Sequence, residues 1–278
     1  MKIGFIGQGY VGKHVADDFE ARSYSIVRYS LEPVYVGNKD AIASCDVVFV
    51  AVPTPSTPDG FDYSIVRSAL SLVRSGASVV IKSTLVPGTS ERLQKEFPDL
   101  VVIFSPEFLS EATAAHDAAH PILNIVGTTN DTEIQNHAAK EVMALLPLSI
   151  NQFYSTATAA EIFKYAHNIQ GYMRVILSNL LYDVSSVLNA DWEQVRRMMD
   201  IDPMMSPYYN SPIHKTGRGA GGHCFIKDMA AFRMLYSDVC AQDTDGLAVL
   251  TSMEKKNLEL LKVTNKDQDL VEGVYGKN

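Results

Sequence analysis

Cysteine is scarce in this chain of 278 residues: Cys45, Cys224 and Cys240 make an odd number, with none of the paired spacing of a metal site. That excludes a disulfide framework and suits a reducing, cytoplasmic setting, with at least one thiol left over for chemistry. Basic charge is short as well. Lys and Arg number 24 against 32 Asp and Glu, a net charge of -8, and a nucleic-acid partner would need a concentrated basic face to neutralise its phosphates. A few local cations still suffice to hold one phosphate, so a small anionic substrate stays open. No apolar run reaches the roughly 18 residues of a membrane span. The opening Met1 to Ile6 runs straight into a glycine turn and lacks the apolar core and cleavage site of a signal peptide. Histidines such as His116, His120, His167, His214 and His223 show no coherent metal spacing, and no metal is expected. What abounds is apolar side chain, 46% of residues, enough to give one large domain or two small ones a core.

The first half alternates short β-rich runs with helical stretches. Ile3 to Ile6, Ser25 to Tyr29, Val47 to Val52, Val79 to Lys82, Val101 to Phe104 and Asn124 to Val126 read as strands. Several are nearly continuous in Val, Ile and Phe, as in strands buried on both faces of a parallel sheet. The rhythm is that of an α/β, Rossmann-like doubly wound domain, expected over residues 1–152. From about Thr156 a helical stretch reaches roughly Asn189, without proline and with Gly171 as its one glycine. Ile162, Tyr165, Ile169, Tyr172, Val175, Ile176, Leu180 and Val184 follow helical spacing on more than one face, which points to packing on several sides and to a homodimer. An all-α domain is therefore expected over residues 153–278, with further helices from Lys227 to Tyr236 and Leu247 to Leu261. The polar tail after Lys262 reads as disordered.

Gly7-Gln8-Gly9-Tyr10-Val11-Gly12 follows the first strand and opens a helix, the context that gives G-x-G-x-x-G its meaning. The first glycine permits the tight turn, the second lets a pyrophosphate approach the backbone, and the third lets helix and strand pack closely. The helix start then offers its amides to the anion. The second strand ends Arg28-Tyr29-Ser30, with the nearest acid at Glu32, where an NAD-binding fold usually places Asp or Glu. Arg28 and Ser30 are suited instead to a 2′-phosphate, so NAD is the expected cofactor with NADP left open.

Cys224 sits in Gly221-Gly222-His223-Cys224-Phe225-Ile226-Lys227-Asp228, preceded also by Gly217 and Gly219. Those glycines allow backbone to approach a ligand, and a helix expected just after Cys224, with Lys227 one turn on, favours a nucleophilic thiolate. A free cysteine is more often a small buried side chain. Cys45 and Cys240 fit that bland reading; the setting of Cys224 reverses it.

Six segments in order together resemble the UDP-glucose/GDP-mannose dehydrogenase family. They are GQGYVG (Gly7 to Gly12), VPTPS (Val52 to Ser56), STLVPGT (Ser83 to Thr89), SPEFLSEATAAHD (Ser105 to Asp117), AEIFKYAHN (Ala160 to Asn168) and GAGGHCFIKD (Gly219 to Asp228). The resemblance implies two hydride transfers from the C6 alcohol of a nucleotide sugar, UDP-glucose or similar, to NAD, giving a carboxylate through a thiohemiacetal and a thioester. It implies Cys224 as nucleophile, Lys164 and Asn168 as donors to the developing oxyanion, and Asp228 as the group orienting water or lysine. Thr84 and Glu111 would position cofactor and hydrolytic water, Glu111 as general base. Thr54 and Lys227 would join Gly7, Gln8, Gly9, Tyr10, Val11 and Gly12 at the cofactor. Glu107, Phe108, Leu109, Tyr209, Asn210 and Gly221, with Lys164 and Asn168, would line the sugar site. Lys164 and Asn168, four apart on a helix, share one face; read without the cysteine motif they are an ordinary solvated helix face. Glu161 reads as an ordinary helix residue or local ion-pair partner.

Members of that family carry a third, C-terminal Rossmann-like domain that binds UDP. No further run of strands follows here, so the expectation is a short form without it: a compact version, a fragment or one partner of a split enzyme. Smaller departures are Ala112 in place of the family's glycine and the extra residues Ile213 to Thr216 before the glycine turn. Two other readings stay open: a single-step β-hydroxyacid dehydrogenase, which needs no cysteine, and a non-catalytic nucleotide-sugar binding protein.

Overall fold

Runs of Val, Ile and Phe with no polar position to turn toward water form strands covered on both faces. In the computed structural model, which describes residues 1–277, the first such run is β1 (Ile3–Ile6), followed by α1 (Tyr10–Ala21), β2 (Ile26–Tyr29), α2 (Lys39–Ile42) and β3 (Val47–Val50). A small hairpin of β4 (Ser56–Thr57) and β5 (Gly60–Phe61) comes next, then α3 (Ser64–Leu70), β6 (Ser78–Ile81), α4 (Thr89–Glu96) and β7 (Val101–Phe104). The sheet is completed through α5 (Ala114–Ala119), β8 (Leu123–Thr128), α6 (Glu133–Leu145) and β9 (Asn151–Thr156).

Seven strands lie in the order β2-β1-β3-β6-β7-β8-β9. The pairs from β2 through β7 are parallel, and β1, β3 and β6 are buried along their whole length. Phe5 stacks on Phe49 at 4.9 Å, and Phe19 of α1 meets both edge-on at 5.1 Å. Truncating one of these rings is expected to cost about 3–5 kcal/mol.

Two features of the sheet depart from the sequence reading. β8 runs antiparallel to β7, pairing Ile103 with Thr128 and Phe104 with Gly127. The intervening segment holds only the six-residue α5, which packs beside α1. It does not span the sheet, so β8 starts near the end where β7 finished. β9, which had not been expected, pairs in parallel with β8. Its Asn-Gln-Phe-Tyr-Ser-Thr is exposed at the sheet edge, so it lacks the apolar run that marks a buried strand.

α7 (Ala157–Val187) is a single helix of 31 residues. The later part of the chain adds α8 (Trp192–Ile201), a hairpin of β10 (Ile213–His214) and β11 (Gly217–Arg218), α9 (Gly222–Val239), α10 (Thr244–Val263) and α11 (Gln268–Tyr275). The residues read as an insertion, Ile213 to Thr216, are most of this hairpin. The tail expected to be disordered is instead the helix α11, anchored where Tyr275 Oη donates to Glu254 at 2.8 Å. Leu270, Val271, Val274 and Tyr275 are all the apolar and aromatic residues this stretch offers, too few to register against a polar background.

Two compact units result: Met1–Thr54 with Asp62–Lys164, and Pro55–Phe61 with Tyr165 onward. The division falls inside α7 rather than at 152/153, and the β4–β5 hairpin belongs with the second unit, where Ser56 Oγ donates to Lys227 O at 3.0 Å. That unit is helical apart from its two short hairpins. Among the described residues no helix is long and apolar enough to cross a membrane.

Candidate active site

The glycine turn of the first unit shows why each glycine is there. Gly7 has φ 92°, and a side chain on it would run into Ala51 O just past β3. One on Gly12 would run into Gly7 O. Gly9 is different: nothing lies within 4 Å of where its Cβ would stand, and α1 begins there with no side-chain cap. An open approach to the first amides of α1 fits the pyrophosphate of a dinucleotide. Gln8 is buried, its amide donating to Gly7 O (3.0 Å) and accepting from Arg28 (3.2 Å). From the sequence, Arg28 is suited to a 2′-phosphate. Its guanidinium is instead buried against Glu20 and Asp17 of α1, each at 2.8 Å. Those acids claim its charge, and Ser30 Oγ accepts from Glu32 N at 3.3 Å.

At the same end of the sheet, Thr54 Oγ1 donates to Thr84 O at 2.9 Å, so two expected cofactor contacts are joined. Tyr10 Oη donates to Ser110 O at 2.5 Å, tying the glycine turn to the segment that holds Glu107, Phe108, Leu109 and the exposed Glu111. Lys164, buried on α7, donates through Nζ to Glu107 O at 2.7 Å. It also lies 3.5 Å from Glu107 Oε1 and 5.1 Å from the centre of the Phe108 ring. Glu107 Oε2 accepts from Leu109 N at 2.7 Å, fixing the loop that presents the lysine's partner.

Two further buried charges lie here that sequence reasoning passed over. Lys82, directly after β6, donates to Ser105 Oγ at 2.9 Å, and burial pulls its ammonium down to about 8. Its signal was a lone cation ending a fully apolar strand. Glu161, read as an ordinary helix residue, is fully buried and accepts from Gly88 N (2.6 Å), Ser90 N (2.9 Å) and Ser90 Oγ (2.7 Å) at the start of α4. Burial pushes its carboxyl up to about 7 in spite of those donors.

In the second unit α9 begins at Gly222, so Cys224 lies within its first turn instead of ahead of it. The thiol is exposed, whereas Cys45 is buried and donates to Ala41 O at 3.5 Å. One turn beyond Cys224, the carboxylate of Asp228 is 1% exposed. It accepts from Asn168 Nδ2 of α7 and from Lys227 Nζ, each at 2.5 Å. Lys227 Nζ also stands 5.8 Å from the centre of the Phe61 ring. Phe225 packs on Tyr209 with ring centres 5.4 Å apart. A side chain on Gly171 would come within 2.8 Å of Phe225 and 3.0 Å of Tyr209, so the one glycine of α7 makes room for the ring beside the cysteine. Asn210 ties its loop to α7 and α8, donating to Asp200 Oδ1 and Ser206 O at 3.0 Å and accepting from Arg174 at 3.2 Å. At Gly221, expected at the sugar, a side chain would run into Asp267 and Lys266. Among the described residues no three His, Cys, Asp or Glu side chains are grouped to hold a metal.

A doubly wound sheet with an open dinucleotide turn, followed by a helical unit bearing an exposed cysteine on a glycine turn, defines an NAD-binding dehydrogenase class. Residues 33–145 match the NAD binding domain of the UDP-glucose/GDP-mannose dehydrogenase family, and residues 158–258 match its central domain. The chain belongs to that family, whose named members here are NAD-dependent oxidoreductases acting on CH–OH groups. The chain is 31% identical to the UDP-glucose 6-dehydrogenase of Rhizobium meliloti (strain 1021), over 69% of this chain and 46% of that protein. It therefore spans less than half of that relative. The structure of a UDP-glucose dehydrogenase from the hyperthermophilic archaeon Pyrobaculum islandicum matches with a TM-score of 0.76 at 24% identity, over 94% of this chain and 68% of that one. A Mycobacterium tuberculosis 3-hydroxyisobutyrate dehydrogenase shares the fold over 98% of both chains, with a TM-score of 0.70 and 15% identity.

Proposed function

We propose that this protein oxidises the C6 alcohol of a nucleotide sugar, UDP-glucose or a close relative, to the carboxylate, with Cys224 as covalent nucleophile. One observation carries the reading: Cys224 is exposed in the first turn of α9, one turn before a buried Asp228 held by Asn168 and Lys227. A structural cysteine would need no such support.

When bound, NAD would accept a hydride from C6 in each of two oxidations, the hydroxyl proton leaving to solvent water each time. Gly9 and the start of α1 would hold its pyrophosphate, with Thr54, Thr84 and Lys227 as further cofactor-binding residues. After the first oxidation the Cys224 sulfur bonds to the aldehyde carbon and its proton passes to the former carbonyl oxygen, giving a thiohemiacetal. Loss of that hydroxyl proton with the second hydride leaves a thioester. Lys164 supplies positive charge to the oxyanion at both tetrahedral stages, with Asn168 as second donor. Glu111 takes a proton from water as the water adds to the thioester carbon, and the C–S bond breaks to return the thiol and release the carboxylate.

Incubation with UDP-glucose and NAD is expected to yield two NADH per uronic acid, and Cys224→Ser to lower acid formation by on the order of a thousandfold. One NADH per product, unaffected by thiol alkylation, would instead mark a single-step hydroxyacid dehydrogenase. Binding without hydride transfer would mark a non-catalytic protein. The three thiols stand outside disulfides, which suits a cytoplasmic protein.

The same reading places a second copy on α7. Ile162, Leu177, Leu180, Leu181 and Val184 stand exposed along this helix, apolar side chains that a second copy would cover. Sedimentation should give a dimer at micromolar concentration and a monomer for Leu180→Glu.

A further inference from the structure

The turn that carries Cys224 is held by residues that no motif marks. Asn257 of α10 accepts from Ala220 N at 2.6 Å and donates to Ala220 O at 2.9 Å. Beyond α10, Thr264 Oγ1 accepts from Arg218 N at 3.2 Å. Lys266, 4% exposed, donates to Gly219 O at 2.8 Å and reaches Gly217 O at 3.4 Å. Asp267 Oδ2 accepts from Gly222 N at 2.7 Å, the first amide of α9 and two residues before the cysteine. Gly221, which precedes α9, has no side chain of its own to cap it.

The glycines of the turn show the same dependence. Where Gly217 lacks a side chain, Thr264 fills the space. At Gly219 the neighbours are Asn257 Oδ1 at 3.0 Å and Leu260 and Leu261 at 3.2 Å, and at Gly221 they are Asp267 and Lys266. These three glycines admit the chain's own later residues. Each glycine also leaves the unrestrained turn freer than another residue would, so its conformation must be imposed from outside. The imposing segment is itself strained: Asn265 and Asp267 both hold left-handed backbone, at φ 50° and 51°, which persists only where surrounding contacts over-determine it.

We propose that residues 264–267 form a strap that sets the nucleophile turn, with Lys266 and Asp267 as its positioning residues. Lys266 fixes the carbonyls of Gly217 and Gly219. Asp267 fixes the first amide of α9 and places a carboxylate at the helix end that bears the thiol. The strap thereby governs both where the Cys224 sulfur points and the charge it meets. Its role in turnover rests on Cys224 being the nucleophile; its hold on the turn does not.

The test uses the full chain with Asp267→Gly, Asp267→Asn and Lys266→Met. Glycine accepts the left-handed backbone without strain, so the first variant keeps its fold while losing the carboxylate. Asparagine keeps an acceptor and tolerates that backbone; methionine keeps the buried stem of Lys266 without its Nζ. Amide hydrogen exchange over residues 218–224 and the rate of Cys224 alkylation by iodoacetamide at one fixed pH are measured together. Asp267→Gly and Lys266→Met should speed exchange in the turn by about tenfold or more and change the alkylation rate by about threefold or more, leaving β1, β3 and β6 unaltered. Asp267→Asn should stay within about twofold of the parent. Parent-like exchange and alkylation in the glycine variant would overturn the proposal. So would faster exchange with unchanged alkylation, or an asparagine variant as loose as the glycine one. Both readouts stand whether or not the protein turns over UDP-glucose; where it does, the strap variants should lower kcat more than they raise KM.

Discussion

The glycine turn at residues 7–12 and the glycine turn at residues 217–222 each open a helix, and they use their missing side chains in different ways. In the first, Gly7 and Gly12 close the turn on its own backbone while Gly9 faces open space at an uncapped helix start. In the second, Thr264, Asn257, Lys266 and Asp267 fill the spaces at Gly217, Gly219 and Gly221, and a distant carboxylate takes the first helical amide. The start of α4 repeats the second arrangement, with Glu161 on the amides of Gly88 and Ser90. An unfilled turn leaves its helix amides open to a ligand's anion. A filled one is a bed for the chain's own acid, which then sets what the turn presents.

Disturbing a filled helix start should change stability, and the largest effect is expected at Glu161. A carboxyl raised from 4.5 to about 7 by burial favours the protonated fold. Its contribution is therefore complete below pH 4.5 and is lost as pH rises through about 7, by up to about 3 kcal/mol. Urea midpoints at pH 5 and pH 8 should differ less in Glu161→Gln than in the parent. Parallel midpoints in the two proteins would show that this acid does not titrate across that range.

A smaller loss is expected from Gly221→Ala, whose new methyl meets Asp267 and Lys266 at a backbone angle any residue adopts. Overpacking of this kind costs about 1–3 kcal/mol. Urea unfolding would read it, with NAD affinity unchanged. Gly9→Ala reverses the pattern: its methyl enters open space, so thermal stability should hold while NAD binding weakens about tenfold, about 1.4 kcal/mol. A Gly9 variant that melts early yet binds NAD normally would erase the distinction between the two turns.

Much of this was legible where one local signal sufficed. β1, β3, β6 and β7 announce themselves as mainly apolar runs, and the spacing of Gly7, Gly9 and Gly12 marks the turn from β1 into α1. What escaped depended on partners remote in the chain. β9 is polar because it is an exposed edge, held by its ladder to β8. The tail looked too polar to fold, yet Lys266 is buried because two glycine carbonyls satisfy its ammonium. Glu161 resembles any helix glutamate until Ser90 is brought to it. The site residues were easier to name than to assign. Asn210 is bonded to Asp200 and Ser206, and Arg28 to the acids of α1, partners that no local pattern announces.

The central claim is the bond between Cys224 and a sugar carbon, and intact mass spectrometry of the protein quenched during turnover of UDP-glucose with NAD tests it most directly. The account predicts an added mass equal to the nucleotide sugar as its C6 acyl group, located to the peptide of Cys224 and absent from Cys224→Ala. Acid formation by Cys224→Ala at the parent's rate, with no adduct in either protein, would contradict it.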